Sequence, residues 1–426
     1  MGNVNDKLAY IDGTKTAIKD AIVAKGVAVP SGTTFREYAD KIGEIQGGGA
    51  GEGDYLVRFL DWEGTILKEQ RVNSGLDATA PTLPTHTNLT FQEWNNAFTN
   101  VTRDIDVGAT YGTTDGKTYL YIEVNAITAI TGLFPILYLN KATTDVLTVN
   151  WGDNTSSISS ADGDINLTKT YAIAGSYTIT IECAGEYGFG NGGVVTPVFS
   201  SINGYGSILR TALIGDNVTS IDDSAFQFCM ALFSISVPLG VTSIGTYAFQ
   251  YCYALSSISI PSGVTSIGTY AFNSCYALVS ISIPSGVTSI GTYAFQSCSI
   301  LPSISVPSSV TSIGNNTFQY CYALVSISIP SSVTSIGTYA FQNCRNLISI
   351  TIPSSVTSIG SAAFQSSAVL DFIFNSVIPP TITSTDVFTP KSISKIYVPD
   401  DSVDAYKAAT NWVTYANYIY PLSLKP

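Results

Sequence analysis

The chain has 426 residues, enough for two to four domains, and it is acidic: 19 Lys and Arg against 31 Asp and Glu give a net charge of −12. Charged residues make up only 12 % of it, so nothing could neutralise a run of phosphates, and nucleic acid is excluded as a partner. No apolar run reaches the ~18 residues that a spanning helix needs, so no membrane partner is expected.

The opening "MGNVNDKLAYIDGTK" has neither the basic nor the apolar region of a secretory signal. Asp6 stands where myristoylation at Gly2 needs Ser or Thr, and the ending "YPLSLKP" carries no anchor; synthesis in a host cytoplasm is expected. Residues 1–46 read as a short helical module. Leu8, Ile11, Ile18 and Ile22 share one stripe at helical spacing. Gly26 suits a helix end and Pro30 forbids continuation, while Gly13 leaves room for two shorter helices. A second helix starts at Thr34, which forms a capping-box pattern with Glu37, and buries Phe35, Tyr38, Ile42 and Ile45. Two stripes on some forty residues cannot build a core alone, so the module needs copies of itself or another protein. Residues 47–53, "GGGAGEG", read as a flexible linker. The stretch "TAIKDAIVAKGVAVPSGTTFREYADKI" resembles a segment at the front of phage virion proteins, and the resemblance implies attachment or assembly.

Residues 54–99 alternate in hydrophobicity around Glu63-Gly64, as a hairpin does. With Ala80, Pro81, Pro84, Phe91 and Trp94 the segment resembles the Listeria–Bacteroides repeat, although Glu93 stands where that family usually has Gly; the resemblance implies a spacer or adhesive unit. Residues 100–187 are a series of strand-like runs. Trp151-Gly152-Asp153, followed by Tyr171, Gly175 and Tyr177, resembles a PKD-type β-sandwich, with departures at Asn154 and Lys169. Asp153, Asp162 and Asp164 read as turn formers in Gly-rich loops, with an acid–base pair or calcium ligands as alternatives. Residues 188–206 read as a second Gly-rich linker. "GEYGFGNGG", Gly185 to Gly193, lacks a following G-K-[ST], so a phosphate loop is unsupported.

Over residues 207–375 the chain repeats every 23 residues, marked by Phe226, Phe249, Phe272, Phe295, Phe318, Phe341 and Phe364. Leu255, Ile258 and Ile260 have the L-x-x-L-x-L spacing of a leucine-rich repeat. Ile258 and Ile260 are expected inside, Ser257 and Ser259 outside. Pro261 ends the strand, Val264 and Ile267 form a second inward pair, and Gly268 makes a corner. Cys229, Cys252, Cys275, Cys298, Cys321 and Cys344 hold one repeat position. Stacking sets them in a file, not the tetrahedron a zinc site needs, and His86 is the only histidine. Reduced, buried thiols are expected, with no metal and no cofactor. "VTSIGTYAFQYCYALSSISIPSG" resembles the BspA-like leucine-rich repeat, whose members mediate adhesion to proteins, cells or glycans. Residues 376–426 resemble that family's terminal segment, a C-terminal cap in which Asp401 caps a helix while Trp412, Tyr415 and Tyr418 close the core.

Between Ser224 and Leu370 the only charged residue is Arg345. No His, Asp or Glu is present to activate a serine or serve as an acid–base pair, so no catalytic residue is assigned and the chain is not expected to be an enzyme. Tyrosine is what remains. Tyr247, Tyr270, Tyr293 and Tyr339 form one column, Tyr251 and Tyr320 a second, and Tyr253, Tyr276 and Tyr322 a third, with rings about 4.8 Å apart in adjacent turns. They either pave the rim or bind a neutral ligand such as a cell-wall or capsular polysaccharide. The expected fold is mainly β and multidomain: a short N-terminal helical module, small β-sandwich-like modules, then a leucine-rich-repeat solenoid with a C-terminal cap. The expected role is a virion tail fibre or receptor-binding protein. It would be a homo-oligomer that joins other virion proteins through residues 1–46 and a host-surface glycan or protein through the repeat. A head fibre or decoration protein, and a bacterial surface adhesin, are the alternatives.

Overall fold

The computed structural model describes residues 54–124, 136–141, 145–189, 208–388 and 395–425. The helical module expected at 1–46, the linker at 47–53 and most of the stretch 188–206 lie outside them. The protein is mainly β, about 6 % helical, with a β-solenoid of about 9 turns in the repeat region.

Two compact units are present. The smaller includes residues 54–57, 70–79 and 98–105; the larger includes 58–69, 80–97 and the described residues from 106 onward. In the smaller, Val57, Val72, Ala78 and Val101 are buried. Backbone bonds from Gly75 to Val101 and from Ala78 to Phe98, both 2.8 Å, join its segments. Strands β1 (Asp54–Leu60), β2 (Ile66–Asn73), β3 (Leu89–Trp94) and β4 (Ile105–Thr113) are ordered β2–β1–β4–β3 in one sheet. The expected turn is formed at Glu63-Gly64, where Asp61 N–H donates to Thr65 O at 2.8 Å and Gly64 takes φ +81°. Strand β4 lies beyond residue 99, in the stretch assigned to the next module.

In the larger unit, β5 (Thr118–Val124), β7 (Leu147–Asn150), β8 (Ser156–Ser159) and β10 (Gly175–Cys183) form one layer of a sandwich. Strands β6 (Ile136–Lys141), β9 (Gly163–Thr168) and β11 (Tyr187–Phe189) form the other. The core between them includes Leu120, Ile122, Val149, Trp151, Ile179 and Ile181, each at most 1 % exposed. Neither layer stops at the sandwich. Strand β5 pairs antiparallel with β12 (Leu209–Leu213), the first strand of the solenoid. Strand β11 pairs in parallel with β13 (Val218–Ile221). The two layers therefore continue as the two strand ladders of the coil, and one apolar core runs from Leu120 to Ile419.

Each solenoid turn supplies a short strand such as Ser257–Ser259 and a two-residue strand such as Ser266–Ile267. Within a ladder each pairs in parallel with its equivalent in the next turn, as Ser257 with Ser280 and Ser266 with Ser289. Inside, Phe226, Phe249 and Phe272 stack face to face with centroids 5.3–5.4 Å apart, and the file continues through Phe388. Gly268 is dictated by the close approach of the turns: a Cβ there would lie 2.5 Å from the carbonyl carbon of Gly245. The far end is closed by helix α1 (Val403–Ala408) and buried Tyr406, Trp412 and Tyr415. Trp412 Nε1 donates to Pro380 O at 2.8 Å and Tyr415 OH to Thr385 O at 2.6 Å. Asp401 does not cap the helix as expected. It lies in a preceding 3-10 turn, and the N-cap is Ser402, without a side-chain bond.

Candidate ligand-binding surface

Seven successive turns each place two non-glycine residues in the left-handed region, four positions apart. The first position is occupied by Ser224, Tyr247, Tyr270, Tyr293, Asn316, Tyr339 and Ala362, with φ between 51° and 61°. The second is occupied by Phe228, Tyr251, Ser274, Ser297, Tyr320, Asn343 and Ser366. Bonds between turns hold this backbone: Tyr247 N–H donates to Thr269 O at 2.9 Å and Tyr251 N–H to Asn273 O at 2.9 Å. Two of the three expected tyrosine columns thus stand on strained backbone, which costs roughly 1–2 kcal/mol per residue.

The rings are brought together unevenly. Tyr247, Tyr270 and Tyr293 form a continuous stack, with centroids 5.1 and 4.3 Å apart and planes within 17°. Burial, then the neighbouring Tyr293, pushes the Tyr270 hydroxyl above its ordinary pKa, so it remains a hydrogen-bond donor. Tyr339 is separated from that stack by Asn316 and is 37 % exposed. Tyr251 stacks on Phe228 at 4.9 Å, a ring that the tyrosine count alone misses. Tyr253 and Tyr276 stack at 5.0 Å. Tyr320 and Tyr322 are tilted neighbours at 6.1 Å, and the guanidinium of Arg345 lies 5.0 Å over the Tyr322 ring.

The serine face differs from expectation at one place. Ser259, Ser282, Ser305 and Ser328 are exposed, but Ser257 is only 5 % exposed and Ser234 7 %. The cause is β3 and β4, which cover the first turns. Ser280 Oγ donates to Asn96 Oδ1 at 3.1 Å, and Trp62, Ala109 and Tyr111 pack with Leu213 beside Tyr119 and Tyr121.

The thiol file is buried and unbridged. From Cys252 onward each thiol has a carbonyl acceptor: Cys252 Sγ donates to Phe226 O at 3.1 Å and Cys321 Sγ to Phe295 O at 3.2 Å. Burial pushes Cys321 up to about 12 and Cys252 well above the ordinary thiol range, so neither is a nucleophile at neutral pH. Beside the thiols runs a feature that the sequence reading passed over although it shares their period. Gln227, Gln250, Asn273, Gln296, Gln319, Gln342 and Gln365 pass one amide hydrogen bond from turn to turn, for instance Gln250 to Asn273 at 3.1 Å and Asn273 to Gln296 at 2.7 Å.

In the sandwich, Asp153 is held in a turn by Thr155 N–H at 3.1 Å and pairs with Lys169 Nζ at 2.6 Å. Burial opposes its ionisation, but the bonds from Lys169 and Thr155 prevail and hold it below the usual carboxylate range. Among the described residues, no group of three His, Cys, Asp or Glu side chains could hold a metal ion.

Residues 205–325 and 288–409 match the model of the BspA type leucine rich repeat region. The solenoid is thus of the BspA repeat type. Among solved structures, a leucine-rich repeat protein from Bacteroides ovatus is 32 % identical, covering 48 % of this chain and 52 % of its own, with a TM-score of 0.42. A leucine rich cell surface protein from Faecalibacterium prausnitzii is 28 % identical over 44 % of this chain and 60 % of its own, at 0.35. A leucine-rich repeat protein of T. pallidum is 28 % identical over 42 % and 79 %, at 0.33. The chain thus spans about half the length of the Bacteroides ovatus protein. No curated protein sequence matches.

Proposed function

We propose that this chain is a non-enzymatic attachment protein whose solenoid holds a neutral surface ligand against its tyrosine columns. BspA-type repeats build binding or structural surfaces, and this one lacks the charged partners that hydrolysis requires. The observation that carries the reading is the ring stack of Tyr247, Tyr270 and Tyr293 on left-handed backbone. Strain of this kind gathers where a surface is used, and tyrosine offers apolar area with a hydrogen-bonding tip.

The virion setting, with attachment of residues 1–46 to other virion proteins and a homo-oligomeric fibre, rests on the resemblance of residues 16–42 alone. A tail fibre is preferred over a head fibre because the repeat is a recognition surface. The same surface would serve a bacterial adhesin.

The test uses an array of neutral cell-wall and capsular polysaccharides. Tyr→Ser at Tyr247, Tyr270 and Tyr293 together should weaken retention at least tenfold in a variant that thermal unfolding shows to be folded at the assay temperature. Serine is the right replacement because Ser224 already takes that backbone position. Undiminished retention would refute the reading. Antibodies against the solenoid, applied to purified phage particles and to intact bacteria, separate the virion from the cell-surface setting.

A further inference from the structure

A cavity of about 250 Å³ lies within the larger unit, between β3 and the first serine-bearing strands of the solenoid. Its roof is Glu93, Trp94 and Asn95; its floor includes Ser234, Ser257 and Ser280. Ser280 also binds Asn96, which fixes the roof to the floor at one edge. The hydroxyl of Ser257, on a side chain 5 % exposed, has no hydrogen-bond partner. A buried hydroxyl left unpaired costs roughly 1–3 kcal/mol. Alanine at this position would remove that cost, so the hydroxyl is a liability to the fold unless something fills the cavity.

We propose that this cavity binds one uncharged sugar residue. A pyranose has an apolar face and a rim of hydroxyls. The indole of Trp94, held edge to face by Phe59 and Phe91 at 5.1 and 5.5 Å, supplies the matching apolar wall. The serine floor supplies donors and acceptors. No cation lines the cavity, so the carboxylate of a uronic or sialic acid would have no partner there. A quaternary ammonium calls for several aromatic faces; Trp94 is the only aromatic side chain in the lining. The site is independent of the tyrosine columns.

The experiment is saturation-transfer NMR on the full chain with methyl glycosides of glucose, galactose, mannose and N-acetylglucosamine. Glucuronate, choline and a serine-rich peptide run alongside. At least one neutral glycoside should bind saturably. Ser257→Leu, which fills the cavity, should abolish the signal. Ser257→Ala should weaken binding about tenfold while leaving Tm unchanged or higher, a pairing that a merely structural hydroxyl would reverse. The triple tyrosine variant should bind as the wild type does, so failure of this site and failure of the tyrosine reading are told apart. The proposal is overturned if no neutral glycoside binds, if Ser257→Leu leaves binding intact, or if only glucuronate, choline or the peptide binds.

Discussion

At the residue scale, the decisive balance is between backbone strain and ring stacking. A left-handed tyrosine costs roughly 1–2 kcal/mol, and an aromatic pair returns roughly 0.5–1.5 kcal/mol beyond its area. For Tyr270, stacked on both sides, the two nearly cancel. Tyr339 has the same strain, φ 57°, but its column neighbours are Asn316 and Ala362. Asparagine tolerates this region well, and Asn316 shows that the site accepts it. Tyr339→Asn should therefore raise stability by about 1 kcal/mol, whereas Tyr270→Asn should be neutral or destabilising. Thermal unfolding of the two variants checks this; equal shifts would show that stacking is not what offsets the strain. The sequence could place these tyrosines in columns, because a 23-residue period is a statement about position. It could not reveal the strain, since the first left-handed position in each turn never carries the glycine that announces it.

At the scale of the element, the solenoid turn is held by three internal files: phenylalanine rings, thiols and amides. Ring and thiol files were legible because Phe and Cys recur without exception over six turns. The amide file was not singled out, because Gln and Asn are ordinarily solvent-facing residues, yet Gln250, Asn273 and Gln319 are buried. Gln296 sits in the middle, accepting from Asn273 at 2.7 Å and donating to Gln319. Gln296→Leu would break the file, although Gln319 Oε1 keeps its bond from Asn316 Nδ2 at 2.8 Å and Asn273 Nδ2 keeps the Gln296 carbonyl at 3.4 Å. A loss of about 1–3 kcal/mol in chemical denaturation is expected; a change below about 0.5 kcal/mol would mean that the file is decorative. The ladder also has a weak point. The longer-strand ladder alone breaks between Ser326–Ser328 and Ser349–Ile352; both strand ladders are interrupted at the turn of Ser303–Ser305, beside Pro302, which has no N–H to donate. In the same turn, a Cβ on Gly314 would meet nothing nearer than 3.2 Å, and Phe295 and Phe318 stand 5.8 Å apart. The turns are locally wider where the surface pattern also breaks.

For the whole molecule, the issue is where one module ends and the next begins. Sequence patterning identified strands and a Trp-Gly-Asp turn, and Trp151 is indeed buried with Tyr171 OH donating to its carbonyl at 2.7 Å. A one-dimensional pattern cannot show which edges of those strands remain open, and that decides the architecture here. Strands β5 and β11 offer edges, and the first solenoid turn takes both. Phe189 then lies 5.4 Å from Phe226, at the head of the ring file. The sandwich thus does for the N-terminal end what Trp412 and Tyr415 do for the other: it covers a core that a repeat array leaves open. A fragment beginning at Ile208 would expose two strand edges and Phe226 together, the conditions for edge-to-edge association. That fragment should self-associate or precipitate, while one beginning at Asp54, which keeps the sandwich and both partners of β4, should stay monomeric, with the two compared by size-exclusion chromatography with light scattering. A monomeric fragment from Ile208 with an unchanged Tm would mean that the sandwich is a passenger on the coil, not its cap.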